Sequence, residues 1–151
     1  MAALLVAAGL AAPAAPAPAA AASVEVVAEG GAVLARRPLP EGAEACLRWN
    51  HSVTGGPVAD CFVVRAGRLV LARSYLHDYA AGLGEVPGRG VVRAASGGGY
   101  WIEGMNEALP AGGLPLRVGG PAVAHRLDGP GWRLDLLPLA GRTRVILRAG
   151  P

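Results

Sequence analysis

Cys46, His51, Ser52, Asp60 and Cys61 fall within one short run, ACLRWNHSVTGGPVADCF. These residue types can do four kinds of chemistry. A serine, a histidine and an aspartate can form a nucleophilic triad. A histidine oriented by a carboxylate can move a proton or hold an anion. Histidine, aspartate and cysteine can ligate a metal. Two cysteines can bond to each other. Which of these is open depends on the strands that carry the residues.

The run reads as two strands folded back about Thr54-Gly55-Gly56-Pro57. With those four residues as the loop, Val53 faces Val58, His51 faces Asp60, Trp49 faces Phe62 and Leu47 faces Val64. A two-residue turn at Ala66-Gly67 then sets Val64 against Leu69, Phe62 against Leu71 and Asp60 against Arg73. Directly opposed residues share a face. The expected core face is therefore Leu47, Trp49, Phe62, Val64, Leu69 and Leu71, ending in a polar row of His51, Asp60 and Arg73. Tyr75 and His77 continue that row along the third strand. In the functional reading, Asp60 is ionised beside Arg73 and orients His51 toward an anion or a proton. The same row could instead be a self-satisfied pair that fixes strand register. Ser52 points to the other face, and no G-x-S-x-G elbow exposes a serine, so the triad is disfavoured.

His51, His77, His125, Asp60 and Asp78 are the candidate metal ligands, but none has H-x-x-x-H or C-x-x-C spacing. The chemistry calls for no cofactor. Cys46 and Cys61 are the only cysteines, and a bond between them is the default for an exported chain. The ladder above puts them four residues out of step, roughly 13 Å along a strand. A disulfide spans at most about 7 Å between Cα atoms, so a bond requires that register to break.

The rest of the chain supplies the frame. Gly 23 and Pro 13 among 151 residues favour short strands and many turns. Strands are expected at Val24–Ala28, Ala32–Arg37, Glu44–Val53, Val58–Arg65, Arg68–His77, Val91–Ala95, Tyr100–Glu103, Leu114–Val118, Ala122–Leu127, Trp132–Leu137 and Arg142–Arg148, with one weak helical turn near Asn106-Glu107-Ala108. This predicts an all-β fold, an antiparallel β-sandwich or partly open barrel built from short strands in meanders. Gly82-Leu83-Gly84 and Gly97-Gly98-Gly99 lack the following helix that would make them phosphate cradles, so they read as loops between strands. The net charge is +3, and the arginines are scattered without interleaved aromatics, which disfavours nucleic acid as a partner.

Residues 1–22 form a separate leader. Leu4, Leu5, Val6 and Leu10 lie in an alanine run too short to span a bilayer, and Ala20 and Ala22 fit an A-x-A cleavage site. The expectation is a signal peptide or amino-terminal leader followed by a single β domain, residues 23–151, in the periplasm. A membrane association would then arise through a partner or an uncleaved leader.

WNHSVTGGPVADCF resembles the signature of the 1850 family of domains of unknown function, in which W/Y-x-HSV leads through a proline to an acidic residue and an aromatic. SYLHDYAAGLGEVPG and GGYWIEGMNEALPAGGLPLRV are similar to its later landmarks. His51, Ser52, Asp60, Gly82 and Gly84 are the positions that carry over. This chain departs from the family in its uncharged Thr54-Gly55-Gly56 turn, and in Asp60 where the family has glutamate. The resemblance implies a small exported protein encoded beside tripartite TRAP transporters of the TAXI class, acting as an accessory of solute uptake, with no established catalysis. The expected function is thus a non-catalytic accessory or solute-binding module. It would recognise a transporter membrane subunit or a small anionic solute through His51, Asp60, Arg73, Tyr75 and His77. The alternatives are a small periplasmic hydrolase or metal-dependent enzyme using His51 and Asp60, and a purely structural envelope module.

Overall fold

The computed structural model describes residues 22–78 and 88–151. The expected leader, apart from Ala22, and the expected Gly82/Gly84 loop lie outside the described residues. The elements in chain order are β1 (Ser23–Ala28), β2 (Val33–Pro38), β3 (Glu44–Asn50), β4 (Pro57–Arg65), β5 (Arg68–Leu76), β6 (Val91–Ala94), β7 (Tyr100–Ala108), β8 (Leu114–Arg117), β9 (Arg126–Gly129), β10 (Trp132–Asp135), α1 (Leu136–Ala140) and β11 (Arg144–Gly150). They form a four-stranded sheet, β2-β1-β11-β8, and a seven-stranded sheet, β10-β9-β3-β4-β5-β7-β6. The pairings are antiparallel and neither sheet closes, so of the two expected architectures the sandwich is the one formed.

Alternation makes the core. Val24 and Val26 of β1 and Val145 and Leu147 of β11 point inward from the small sheet. Ala45, Leu47, Phe62, Val64, Leu69, Leu71 and Ile102 meet them from the large sheet. The turns follow local backbone chemistry. Ala66 and Gly67 both take positive φ, 48° and 70°, which matches the right-handed twist of the β4–β5 hairpin. At Pro130-Gly131 the proline presets φ and Gly131 takes the positive value, 74°, between paired Gly129 and Trp132.

Two features correct the expected ladder. The β3–β4 loop runs from His51 to Gly56, longer than the four residues expected, and Cys46 pairs with Cys61, Leu47 with Asp60 and Trp49 with Val58. β3 ends early because the His51 side chain caps the turn: its Nδ1 accepts the Val53 and Thr54 N–H groups, each at 3.3 Å. The displacement is four residues, an even number. Every side chain therefore keeps its expected face while changing its partner. The second correction is a bulge at Ala72. Val64 pairs with Leu69 and Phe62 with Leu71 as expected, but Cys61 then pairs with Arg73 and Asp60 with Ser74. The extra residue moves Arg73 to the opposite face from Asp60.

Elsewhere β7 runs through Asn106-Glu107-Ala108 as strand, with Asn106 at φ 52° marking an irregular pairing to β5, so the expected helical turn is absent there. The helix instead follows β10, where Leu136 is fully buried. Most of the expected strand Ala122–Leu127 is a connection that crosses from β8 in one sheet to β9 in the other.

Candidate functional site

The row expected to join His51, Asp60 and Arg73 does not form; the fold distributes its members over three places. Asp60 lies on the core side of the large sheet between Leu47 and Ser74, and accepts a 2.6 Å hydrogen bond from the buried Ser74 hydroxyl. Burial raises its pKa above the ordinary aspartate value, and the Ser74 bond only partly opposes this.

Arg73 and Tyr75 lie on the outer side of the same sheet. Arg73 donates two hydrogen bonds to Glu44, at 3.0 and 2.5 Å, and its guanidinium sits 4.3 Å from the Trp101 ring centroid. Tyr75 packs against Trp101 and donates its hydroxyl to the Gly98 carbonyl at 2.9 Å. His77 is exposed beside the turn at Gly56, where an added Cβ would lie 3.1 Å from its own.

Beneath Arg73 is the Cys46–Cys61 disulfide, with Cα atoms 3.9 Å apart across the β3–β4 ladder. It is the direct consequence of the four-residue displacement. Among the described residues, Glu44, Cys46 and Cys61 are the one set of His, Cys, Asp or Glu side chains close enough to share an ion, with ligand atoms within 4.8 Å of one another. The two sulfurs are bonded to each other and Glu44 is held by Arg73, so this set is engaged within the protein.

Of the expected five, His51 lines a sizeable cavity. The cavity, about 620 Å³, lies where the connection 118–125 crosses between the sheets. That connection is fixed at both ends. Asn50 N–H donates to the Val123 carbonyl at 2.7 Å, the Asn50 side-chain amide donates to the Ala122 carbonyl at 3.0 Å, and Val118 N–H donates to the Thr143 carbonyl at 2.9 Å. The floor is apolar, from Trp49, Val118 and Val123. Trp49 stacks against His125, centroids 5.9 Å apart and planes 31° apart.

The polar lining consists of Arg117, Arg142, His51, His125 and Ser52, with no carboxylate among the lining residues. Neither Arg117 nor Arg142 has an ion-pair partner among the described residues. Arg142 lies flat over Gly120, where a Cβ would stand 2.6 Å from a guanidinium nitrogen. The two imidazoles are set as donors. His125 Nδ1 accepts the Gly119 N–H at 2.9 Å, and His51 Nδ1 accepts the turn amides, so in each neutral ring the proton is on Nε2. Burial lowers the His125 pKa, which keeps that ring neutral near pH 7. The cavity thus presents guanidinium and imidazole donors over an apolar floor, an arrangement suited to an anion carrying some apolar surface.

Sequence reasoning missed Arg117, Arg142 and His125 as a group, because they meet only through the sheet-to-sheet crossing. The available signal was the Gly119-Gly120-Pro121 stretch, which follows Arg117 and precedes His125.

The family described as Domain of unknown function (DUF1850) matches residues 46–136, more than half of the chain, and the protein belongs to that family. No curated protein and no solved structure matches it.

Proposed function

We propose that this member of the DUF1850 family is an exported, non-catalytic module that binds a small anionic solute in the cavity beneath the 118–125 connection, as an accessory of a TRAP/TAXI-type solute transporter in the periplasm. The observation that carries the solute-binding reading is the pairing of Arg117 and Arg142, both without a carboxylate partner among the described residues, at the mouth of a cavity of about 620 Å³. Structural arginines are normally matched by acids, as Glu25, Glu44 and Glu107 match theirs in this protein. Two unmatched guanidiniums facing one cavity favour a ligand that brings the negative charge. The non-catalytic reading is supported by the lack of a lining carboxylate and by the engagement of both Nδ1 atoms with backbone N–H groups, which leaves no strong base facing the cavity.

Calorimetric titration with small carboxylates and inorganic phosphate tests the binding. Saturable binding of at least one anion is expected, and Arg142→Ala should weaken it at least about tenfold, the usual worth of a charge-assisted hydrogen bond, without lowering the melting temperature. Affinity that is indifferent to Arg142→Ala would place binding elsewhere, and failure of every anion would remove the reading. The accessory role has its own test: the tagged protein should capture the cognate permease from detergent extracts, and an extract that yields none argues against that part.

A further inference from the structure

The outward side of the four-stranded sheet carries a pattern of which solute binding uses only Arg117. Register places Val33, Val27, Ile146 and Pro115 side by side, a row that crosses all four strands. Arginines bracket this apolar row on both sides. Arg36 and Arg148 stand on one side, each bonded to the central, buried Glu25. Arg144 and Arg117 stand on the other, directly opposite one another. All four arginines are exposed, as are Val33, at 45%, and Pro115 at the two ends of the row, while Ile146 is half-buried and Val27 buried between them. Glu25 is the only carboxylate on the four strands, so this face sets four guanidiniums against one acid.

The Arg144–Arg117 pair is the telling part. Like charges directly opposed across a ladder destabilise it, and neither has an acidic partner among the described residues. A negative charge from outside would relieve the pair. The face has its short apolar side chains in the middle and its long cationic ones on two sides. Arginine stems can lie along such a surface while their heads reach phosphate oxygens. We propose that this face docks on an anionic phospholipid bilayer, with the exposed ends of the apolar row, Val33 and Pro115, at the headgroup boundary and the arginines on the lipid phosphates.

Sedimentation of the full-length protein with vesicles tests this. Vesicles rich in phosphatidylglycerol should bind the protein at least about tenfold more than phosphatidylcholine vesicles, and about 0.5 M salt should release it. Arg144→Glu reverses one charge of the face and creates a cross-strand pair with Arg117, so the fold should be kept while anionic-vesicle binding falls about tenfold or more; Arg144→Lys should restore most of it. Because Arg144→Glu also engages Arg117, which lines the anion cavity, its folding is checked by the melting temperature and the β circular-dichroism spectrum rather than by solute binding. Equal binding to the two vesicle types would overturn the proposal, as would binding that Arg144→Glu leaves intact. Vesicle binding that is absent while poly-glutamate binds with Arg144 dependence would identify an acidic protein as the partner and equally overturn it.

Discussion

Glu25, buried, and Asp60, half-buried, are acids with opposite electrostatics. Burial favours the neutral form of Glu25 too, but hydrogen bonds from Arg148 and Arg36 outweigh it and the pKa falls below the ordinary glutamate value. Glu25 therefore binds protons less tightly folded than unfolded. Its stabilisation is full above the ordinary value and is lost as pH falls through the lowered one. Asp60, with no guanidinium bonded to it, binds its proton more tightly folded. Its contribution is greatest in acid and declines as pH rises from the ordinary aspartate value through the raised one. Glu25→Gln should thus lower the melting temperature at neutral pH by an amount equivalent to about 1–3 kcal/mol, with the deficit narrowing in acid. Asp60→Asn keeps an acceptor for Ser74, and should leave the neutral melting temperature equal or higher while flattening its decline with pH. Thermal unfolding from about pH 3 to about pH 8 checks both. At the cavity, Gly120→Ala should displace Arg142 and weaken anion binding several-fold with little change in stability, since the obstructing atoms are the end of a flexible side chain. None of this was legible in the sequence: acids and bases could be listed there, but their pairing depended on a register that hydrophobic alternation leaves open.

The β3–β4–β5 meander shows why. Alternation has period two, so it correctly separates the core side (Leu47, Trp49, Phe62, Val64) from the outer side that carries Cys46, and it is unaffected by a displacement of four. What sets the register is local: a histidine that caps its own turn, and two cysteines that must meet. The disulfide was the one sequence feature at odds with the simple hairpin, and it identified the fault. Arg73 required a different signal, since a bulge at an alanine has no mark in the sequence. The cross-link, between residues 15 apart, should contribute about 3 kcal/mol. Urea unfolding of a Cys46→Ser/Cys61→Ser protein should therefore show a midpoint shift of that size with the sandwich retained, because the β3–β4 ladder and core survive without it. A midpoint unchanged by the double substitution would mean the denatured chain is already constrained there.

At the scale of the molecule, the class of fold was legible from glycine, proline and strand-length runs, while the allotment of strands to two sheets was not. The small sheet is assembled from both ends of the domain: β1 lies between β2 and β11, and only β8 comes from the middle of the chain. The family match, 46–136, leaves out β1, β2 and β11. A fragment with those bounds would expose Phe62, Val64, Leu69 and Leu71, which Val24, Val26, Val145 and Leu147 cover in the whole domain. It should fail to fold, giving collapsed amide dispersion in NMR spectra, whereas residues 22–151 should give a dispersed β spectrum.

The β1–β11 pairing also orders events in time. Ser23 pairs with Gly150, and its hydroxyl donates to the Pro151 carbonyl at 3.1 Å, so among the described strands β1 must wait for β11. Until β11 emerges from the ribosome, β1 lacks one of its two neighbours and half the core lacks its cover. In such a design the inward row of β1, Val24 and Val26, finds its β11 partners Ala149 and Leu147 only when that strand has been made.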